Sequence, residues 1–297
     1  MTMPNFLVIG AAKAGTTALY DYLRQHPQIY MSPVKEPFFF AFEGQHPAFS
    51  GPDEGANRAI TSLKAYEALF RPRAGETALG EASALYLPVP DAPDGIRRHV
   101  PDAKLIAILR NPADRAYSSF LQLIRDDLEP CVDFAAALAL EEPRIKDNWG
   151  FLWRYRQLGF YHAQLRRYFD RFSSDQLRVY LYEDLDRDPI PLLRDIFGFL
   201  DVDDSFTPDT SVRSNISGFH RNRLSEVALG PHSPARSILR RVVPLELRAR
   251  MMNRLYAKIL VRPPLEPQIR EELRRTFRED TLKLQDLLQK DLSAWLS

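Results

Sequence analysis

Near the start of the chain, the stretch Gly10-Ala11-Ala12-Lys13-Ala14-Gly15-Thr16-Thr17 gathers two glycines, a lysine and two threonines. A Walker phosphate loop needs a glycine, four residues, a second glycine, then Lys and Ser/Thr. Gly10 and Gly15 keep that spacing and Thr17 takes the hydroxyl position, but Thr16 stands where the lysine belongs and Lys13 lies inside the loop. A glycine turn between a strand and a helix aims backbone N–H groups at one point, and the helix dipole adds positive potential there. The loop therefore reads as an anion site, with Lys13 as a point charge and the threonines as hydroxyl donors. A turn whose glycines only permit tight packing would account for the glycines, but not for the lysine and threonines beside them. The displaced lysine argues against a nucleoside triphosphate. Glu81 and Glu183, each following an apolar run, keep a magnesium-dependent site open.

A second constellation lies in Lys104–Phe120. Arg110 ends an apolar run, Asn111-Pro112 turns the chain, and Ser118 falls on the helix that follows. The carboxyl edge of an open α/β sheet is where ligands bind, and a guanidinium fork suits a phosphate. The competing reading pairs Arg110 with Asp114. A third candidate is Glu36, in Ser32-Pro33-Val34-Lys35-Glu36-Pro37-Phe38-Phe39-Phe40. It reads either as a solvated loop charge or as a general base.

These residues need a frame. Apolar runs predict buried strands at Phe6–Ile9, Ile29–Met31, Thr77–Gly80, Lys104–Leu109 and Leu177–Tyr182. Helical spacing predicts helices from Leu19 to His26 and over Ser62–Phe70, Ala113–Arg125, Tyr155–Phe169 and Pro191–Leu200. A last amphipathic helix follows Pro267, with Ile269, Leu273, Phe277, Leu284 and Leu288 on one face. The alternation implies a three-layer, P-loop-like α/β fold with a central parallel sheet flanked by helices. Residues 43–58, 88–95 and 211–235 read as loops, and residues 1–297 as a single domain.

Composition narrows the class. The chain has 297 residues, 45% of them hydrophobic, and a net charge of +1, which supplies no bulk attraction for nucleic acid. Its single cysteine, Cys131, excludes an intrachain disulfide and suits a reducing cytosol. No apolar leader precedes Phe6, and no apolar run reaches the ~20 residues that span a bilayer. A cytoplasmic protein without a transmembrane segment is the expectation. Trp149, Trp153, Arg154, Tyr155 and Arg156 read equally as a sugar-stacking wall or as one face of a core helix. The arginines between 236 and 254 read as a solvated face or a dock for an anion.

Together the loop and the Arg110/Ser118 pair resemble the sulfotransferases that use 3′-phosphoadenosine 5′-phosphosulfate, the carbohydrate and heparan types in particular. The likeness continues through Tyr182–Pro189 and the final Lys290–Leu296. The resemblance implies that Lys13, Ala14, Gly15, Thr16 and Thr17 hold the 5′-phosphosulfate, and that Arg110 and Ser118 grip the 3′-phosphate. It implies that Glu36, before the phenylalanines, is the catalytic base and that Lys13 neutralises the leaving group without a metal. Gly218, His220, Arg221 and Asn222 would close over the nucleotide, in place of the Arg-Lys-Gly segment of the phenol-type enzymes. Heparan-type enzymes carry Glu-Lys-Ser/Thr where this chain has Glu81-Ala82-Ser83, which leaves a second cation at the sulfate unaccounted for. The expected activity is sulfuryl transfer to a hydroxyl or amine of a saccharide, glycolipid or other small molecule in a bacterial cytoplasm. The alternatives are a divergent ATP-dependent P-loop kinase and a non-catalytic nucleotide-binding domain.

Overall fold

The computed structural model describes residues 2–52, 55–72, 75–211 and 263–297, and the backbone of residues 219–220 and 260–261. Its centre is a parallel sheet of β1 (Phe6–Gly10), β2 (Ile29–Met31), β3 (Ala78–Ala82), β4 (Lys104–Leu109) and β5 (Leu177–Leu181). The strand order is β2-β3-β1-β4-β5, so β1 lies between β3 and β4. Leu7 faces Glu81 on one side and Leu105 on the other. Every residue of β1 is buried, as is β4 beyond Lys104. Such continuous apolar runs belong to parallel strands covered by helices on both faces.

Helices alternate with the strands: α1 (Thr16–Leu23), α2 (Phe39–Phe42), α3 (Leu63–Glu67), α4 (Ala92–His99), α5 (Pro112–Arg125), α6 (Phe134–Ala139), α7 (Glu141–Lys146), α8 (Tyr161–Phe169), α9 (Tyr182–Arg187), α10 (Pro189–Phe199) and α11 (Pro267–Leu288). Local chemistry sets their starts. Asn111 accepts the Ala113 and Asp114 amides at 3.0 and 3.4 Å, and Pro112 opens α5 with its fixed φ. Asp188 likewise accepts the Ile190 amide, so α10 begins at Pro189, before Pro191. None of the helices described is long and apolar enough to cross a membrane.

Two expectations change. Residues 88–95 are not all loop: α4 begins at Ala92, and Val89, Ala92 and Ile96 are buried. The helix expected over Tyr155–Phe169 is divided into a short turn, Gln157–Gly159, and α8 from Tyr161. The Glu141 carboxylate accepts the Arg156 and Gln157 amides, both at 2.8–2.9 Å, and so takes the donors at the head of that turn. Close packing adds a constraint, because a Cβ on Gly159 would meet the Phe277 ring at 2.6 Å.

The aromatic wall is also resolved. Trp153 and Tyr155 have no exposed surface and belong to a core shared by α5, α6 and α11. Arg154 lies over the Phe151 ring at 4.2 Å, and Arg156 bonds Leu138 O and Glu272. Nearby, Arg144 pairs with the buried Glu129 carboxylate through both terminal nitrogens, at 2.9 and 2.6 Å, and the Tyr155 hydroxyl bonds the same group. Trp153 and Tyr155 are interior and do not offer a sugar a stacking face, whereas Trp149 is only partly buried, beneath the Arg144 guanidinium.

Candidate active site

The sheet order decides which loops meet. β1, β3 and β4 are neighbours with parallel direction, so the segments leaving Gly10, Ala82 and Leu109 emerge at one edge. The first is the glycine loop. Gly15, at φ 91°, precedes α1, and a Cβ there would stand 2.9 Å from Leu185 and 3.0 Å from Tyr182. Glycine is required twice over, by its backbone angle and by the approach of α9. Lys13 also has a left-handed backbone, at φ 70°. Ala14 and Thr16 are buried beneath the turn, Thr16 as the first residue of α1.

The second segment carries Arg110, which is buried and donates to the carbonyl of Lys13 at 3.2 Å. Its guanidinium stacks on the Tyr182 ring, 4.3 Å from the centroid. Asp114, the alternative partner, bonds Arg270 at 2.7 Å instead. Ser118 follows on α5 and is also buried. One turn later Gln122 accepts a hydrogen bond from the Lys13 ammonium. Lys13 is thus tied to the arginine segment through its carbonyl and to α5 through its side chain.

The electrostatics match an anion site. Desolvation pulls the Lys13 ammonium from its ordinary value down to about 7; Arg125 and Arg110 add to the fall, while Asp126 and Glu36 oppose it. Lys13, Arg110 and Arg125 therefore gather positive charge that a bound anion would relieve. Arg125 forks onto Asp126, with both bonds at 2.9 Å.

Glu36 comes from the segment that follows β2. Its amide donates to Ala82 O at 2.9 Å, which pins it to the end of β3 in a left-handed conformation, φ 61°. Its carboxylate pairs with Lys35 at 2.9 Å and stays partly exposed. Glu81 is fully buried in β3, and burial raises its carboxyl to about 7. Glu183 accepts the Asn111 amide at 3.1 Å.

The glycine loop, Arg110 and Glu36 therefore meet at one sheet edge. Gly218, Arg221, Asn222 and the arginines between 236 and 254 lie outside the described residues. His220 enters only as backbone of β6 (Phe219–His220), paired antiparallel with β7 (Leu260–Val261) and running beside α5. Sequence reasoning passed over Gln122 and Arg125. The helical spacing of 118, 122 and 125 was the available signal, since residues four and three apart share a helix face.

Comparison with known proteins agrees with this architecture. A family model described as the sulfotransferase domain matches residues 3–228. Bifunctional heparan sulfate N-deacetylase/N-sulfotransferase 4 of Mus musculus is 33% identical over 205 residues, which are 67% of this chain and 22% of the relative. Carbohydrate sulfotransferase 15 of Mus musculus is 26% identical over 280 residues, covering 78% of this chain and 50% of the relative. The chain thus spans half or less of these curated relatives. A crystal structure of a sulfotransferase from Alicyclobacillus acidocaldarius superimposes with a TM-score of 0.79 at 37% identity, covering 100% of both chains.

Proposed function

The chain belongs to the sulfotransferase family, and from that premise we propose that it moves a sulfuryl group from 3′-phosphoadenosine 5′-phosphosulfate to a hydroxyl or amine. The acceptor is a saccharide, a glycolipid or another small molecule. The observation that carries this reading is the junction of Lys13 and Arg110. One buried arginine holds the backbone of the residue whose ammonium is itself desolvated, so two cationic groups share one edge of the sheet. Such a pair suits a ligand with phosphate groups at both ends of a nucleoside.

In this mechanism Glu36 takes the acceptor's proton as its oxygen attacks sulfur in line. The bond from sulfur to the 5′-phosphate oxygen breaks as the new bond forms. Lys13, the loop amides and the dipole of α1 hold the negative charge that develops on the leaving phosphate. Those fixed donors do the work a metal would otherwise do. Arg110 and Ser118 bind the 3′-phosphate, and Gly218, His220, Arg221 and Asn222 cover the nucleotide. The relatives named for heparan sulfate and carbohydrate support a saccharide acceptor, and the 37% identical bacterial structure supports a bacterial setting.

The test is thermal. A ligand that binds only the native state raises Tm in proportion to RT ln(1 + [L]/Kd). Adenosine 3′,5′-bisphosphate is expected to raise Tm without magnesium, well beyond adenosine 5′-phosphate or magnesium-ATP. Arg110→Ala should erase the preference over adenosine 5′-phosphate. Equal stabilisation of the wild-type protein by the two adenosine phosphates would overturn the assignment of Arg110 and Ser118.

A further inference from the structure

Glu81 is a carboxylate with no exposed surface, one strand residue from the segment that anchors Glu36. The groups acting most strongly on its charge are Tyr86, Ser83, Tyr66 and Glu36, none of them a cation. Burying a carboxylate without a counter-ion is costly, and leucine or glutamine would fill the same space without that cost. Its surroundings show what the carboxylate does. The Tyr66 hydroxyl donates to Oε1 at 3.1 Å. The Ser83 and Tyr86 hydroxyls are near enough to favour its ionised form, although the hydrogen bond made to the carboxylate is the one from Tyr66 and Oε2 accepts none.

The same hydroxyl oxygens hold the segment after Glu36. Ser83 Oγ accepts the Phe38 amide at 3.1 Å, and the Tyr86 hydroxyl accepts the Phe40 amide at 3.4 Å. The Phe39 ring stacks on Tyr66, 4.5 Å between centroids. This segment needs holding, because Glu36 and Phe38 both have positive φ, at 61° and 57°, which side chains other than glycine's disfavour. A hydroxyl has one proton and two lone pairs. If its proton points at a carboxylate, its lone pairs are left for an amide.

We propose that Glu81 is a positioning residue for the base segment: it collects the hydroxyl protons of Tyr66, Ser83 and Tyr86 and so turns the Ser83 and Tyr86 oxygens toward the Phe38 and Phe40 amides. Glu36 is thereby held at the sheet edge. The proposal rests on the reading of Glu36 as the base. Burial raises the Glu81 carboxyl to about 7, so the ionised acceptor is available at neutral pH and above.

The test pairs hydrogen exchange with transfer, using Glu81→Leu, Glu81→Gln and Ser83→Ala in the full chain. Transfer is followed with radiolabelled donor and one polar cell extract as the acceptor mixture. Glu81→Leu is expected to speed exchange of the 36–40 amides about tenfold or more while the 11–17 amides and bisphosphate affinity stay within about threefold. Transfer should fall about 100-fold, and Glu81→Gln, which keeps one carbonyl oxygen, should restore most of it. Ser83→Ala should raise exchange at Phe38 alone, and serves if Glu81→Leu does not fold. Unchanged exchange at Phe38 in Ser83→Ala, or at 36–40 in a folded Glu81→Leu, overturns the proposal. Equal inactivity of the Gln and Leu variants overturns it too, and makes Glu81 a proton acceptor in its own right. Glu36→Gln run beside them tests the base separately: normal transfer there removes the function of Glu36 but leaves the exchange result standing.

Discussion

Lys13 combines a cost in stability with a gain in function. Its ammonium titrates near 7 in the fold, against about 10.4 in an unfolded chain, because burial and two arginines disfavour the charge. Between those values the unfolded state binds more protons, so stability rises with pH from about 7 to about 10. Below about 7 the buried charge is carried in full. Lys13→Met should therefore stabilise the protein at pH 6 by on the order of 1–2 kcal/mol, discounted because the side chain is only partly buried, with a much smaller gain at pH 10. The same substitution should cut transfer by about 100-fold or more, because the leaving phosphate loses its cation. Melts at the two pH values and a transfer assay check both halves. A variant less stable than wild type at pH 6 would show that the ammonium is not a liability in the free protein. For Glu36, the near-isosteric Glu36→Gln should leave bisphosphate affinity intact and lower transfer about 100-fold or more. Normal turnover would move the base elsewhere.

Among the elements, α1 and α9 converge on the glycine loop. Leu185 and Tyr182 of α9 occupy the space a side chain at position 15 would need, and Tyr182 also supports the Arg110 guanidinium. Gly15→Ala therefore disturbs both ends of the site at once, through a backbone at φ 91° and through a displaced α9. The expected loss is about 1–3 kcal/mol of stability, with at least a tenfold loss of bisphosphate affinity. Urea unfolding and calorimetric titration measure the two. Affinity retained alongside a stability loss would mean that α9 yields without disturbing Arg110. Distance along the chain hid this coupling, because Gly15 and Tyr182 carry no shared pattern in the sequence.

For the whole molecule the open question is the acceptor. The base proposed for Glu36, a partly exposed carboxylate, suits an alcohol that must lose its proton during attack. With radiolabelled donor and a fractionated cell extract, we expect label on an aliphatic hydroxyl of a saccharide or glycolipid, identified by mass spectrometry. Label found only on phenols or protein tyrosine would refute the saccharide acceptor and leave sulfuryl transfer standing. Trp153 and Tyr155 take no part in acceptor binding, since both serve the core.

How much was readable depends on the range of the interaction concerned. β1, β4 and α5 were legible because unbroken apolar runs, Asn-Pro and a glycine turn act within a few residues. The glycine turn between β1 and α1 and the strand end at Arg110 were legible for the same reason, as types at fixed spacing. Sequence alone left Arg110 with two possible partners, and Trp153 and Tyr155 with two possible roles. Both were settled by contacts between residues far apart in the chain: Arg270 takes Asp114, and α5, α6 and α11 close over Trp153 and Tyr155. The buried hydroxyls around Glu81 had no signature either, because Tyr66, Ser83, Tyr86 and the 36–40 segment are brought together only when β2 and β3 pair. Local patterns specify elements, whereas the ionisation and partners of a buried group depend on which elements enclose it.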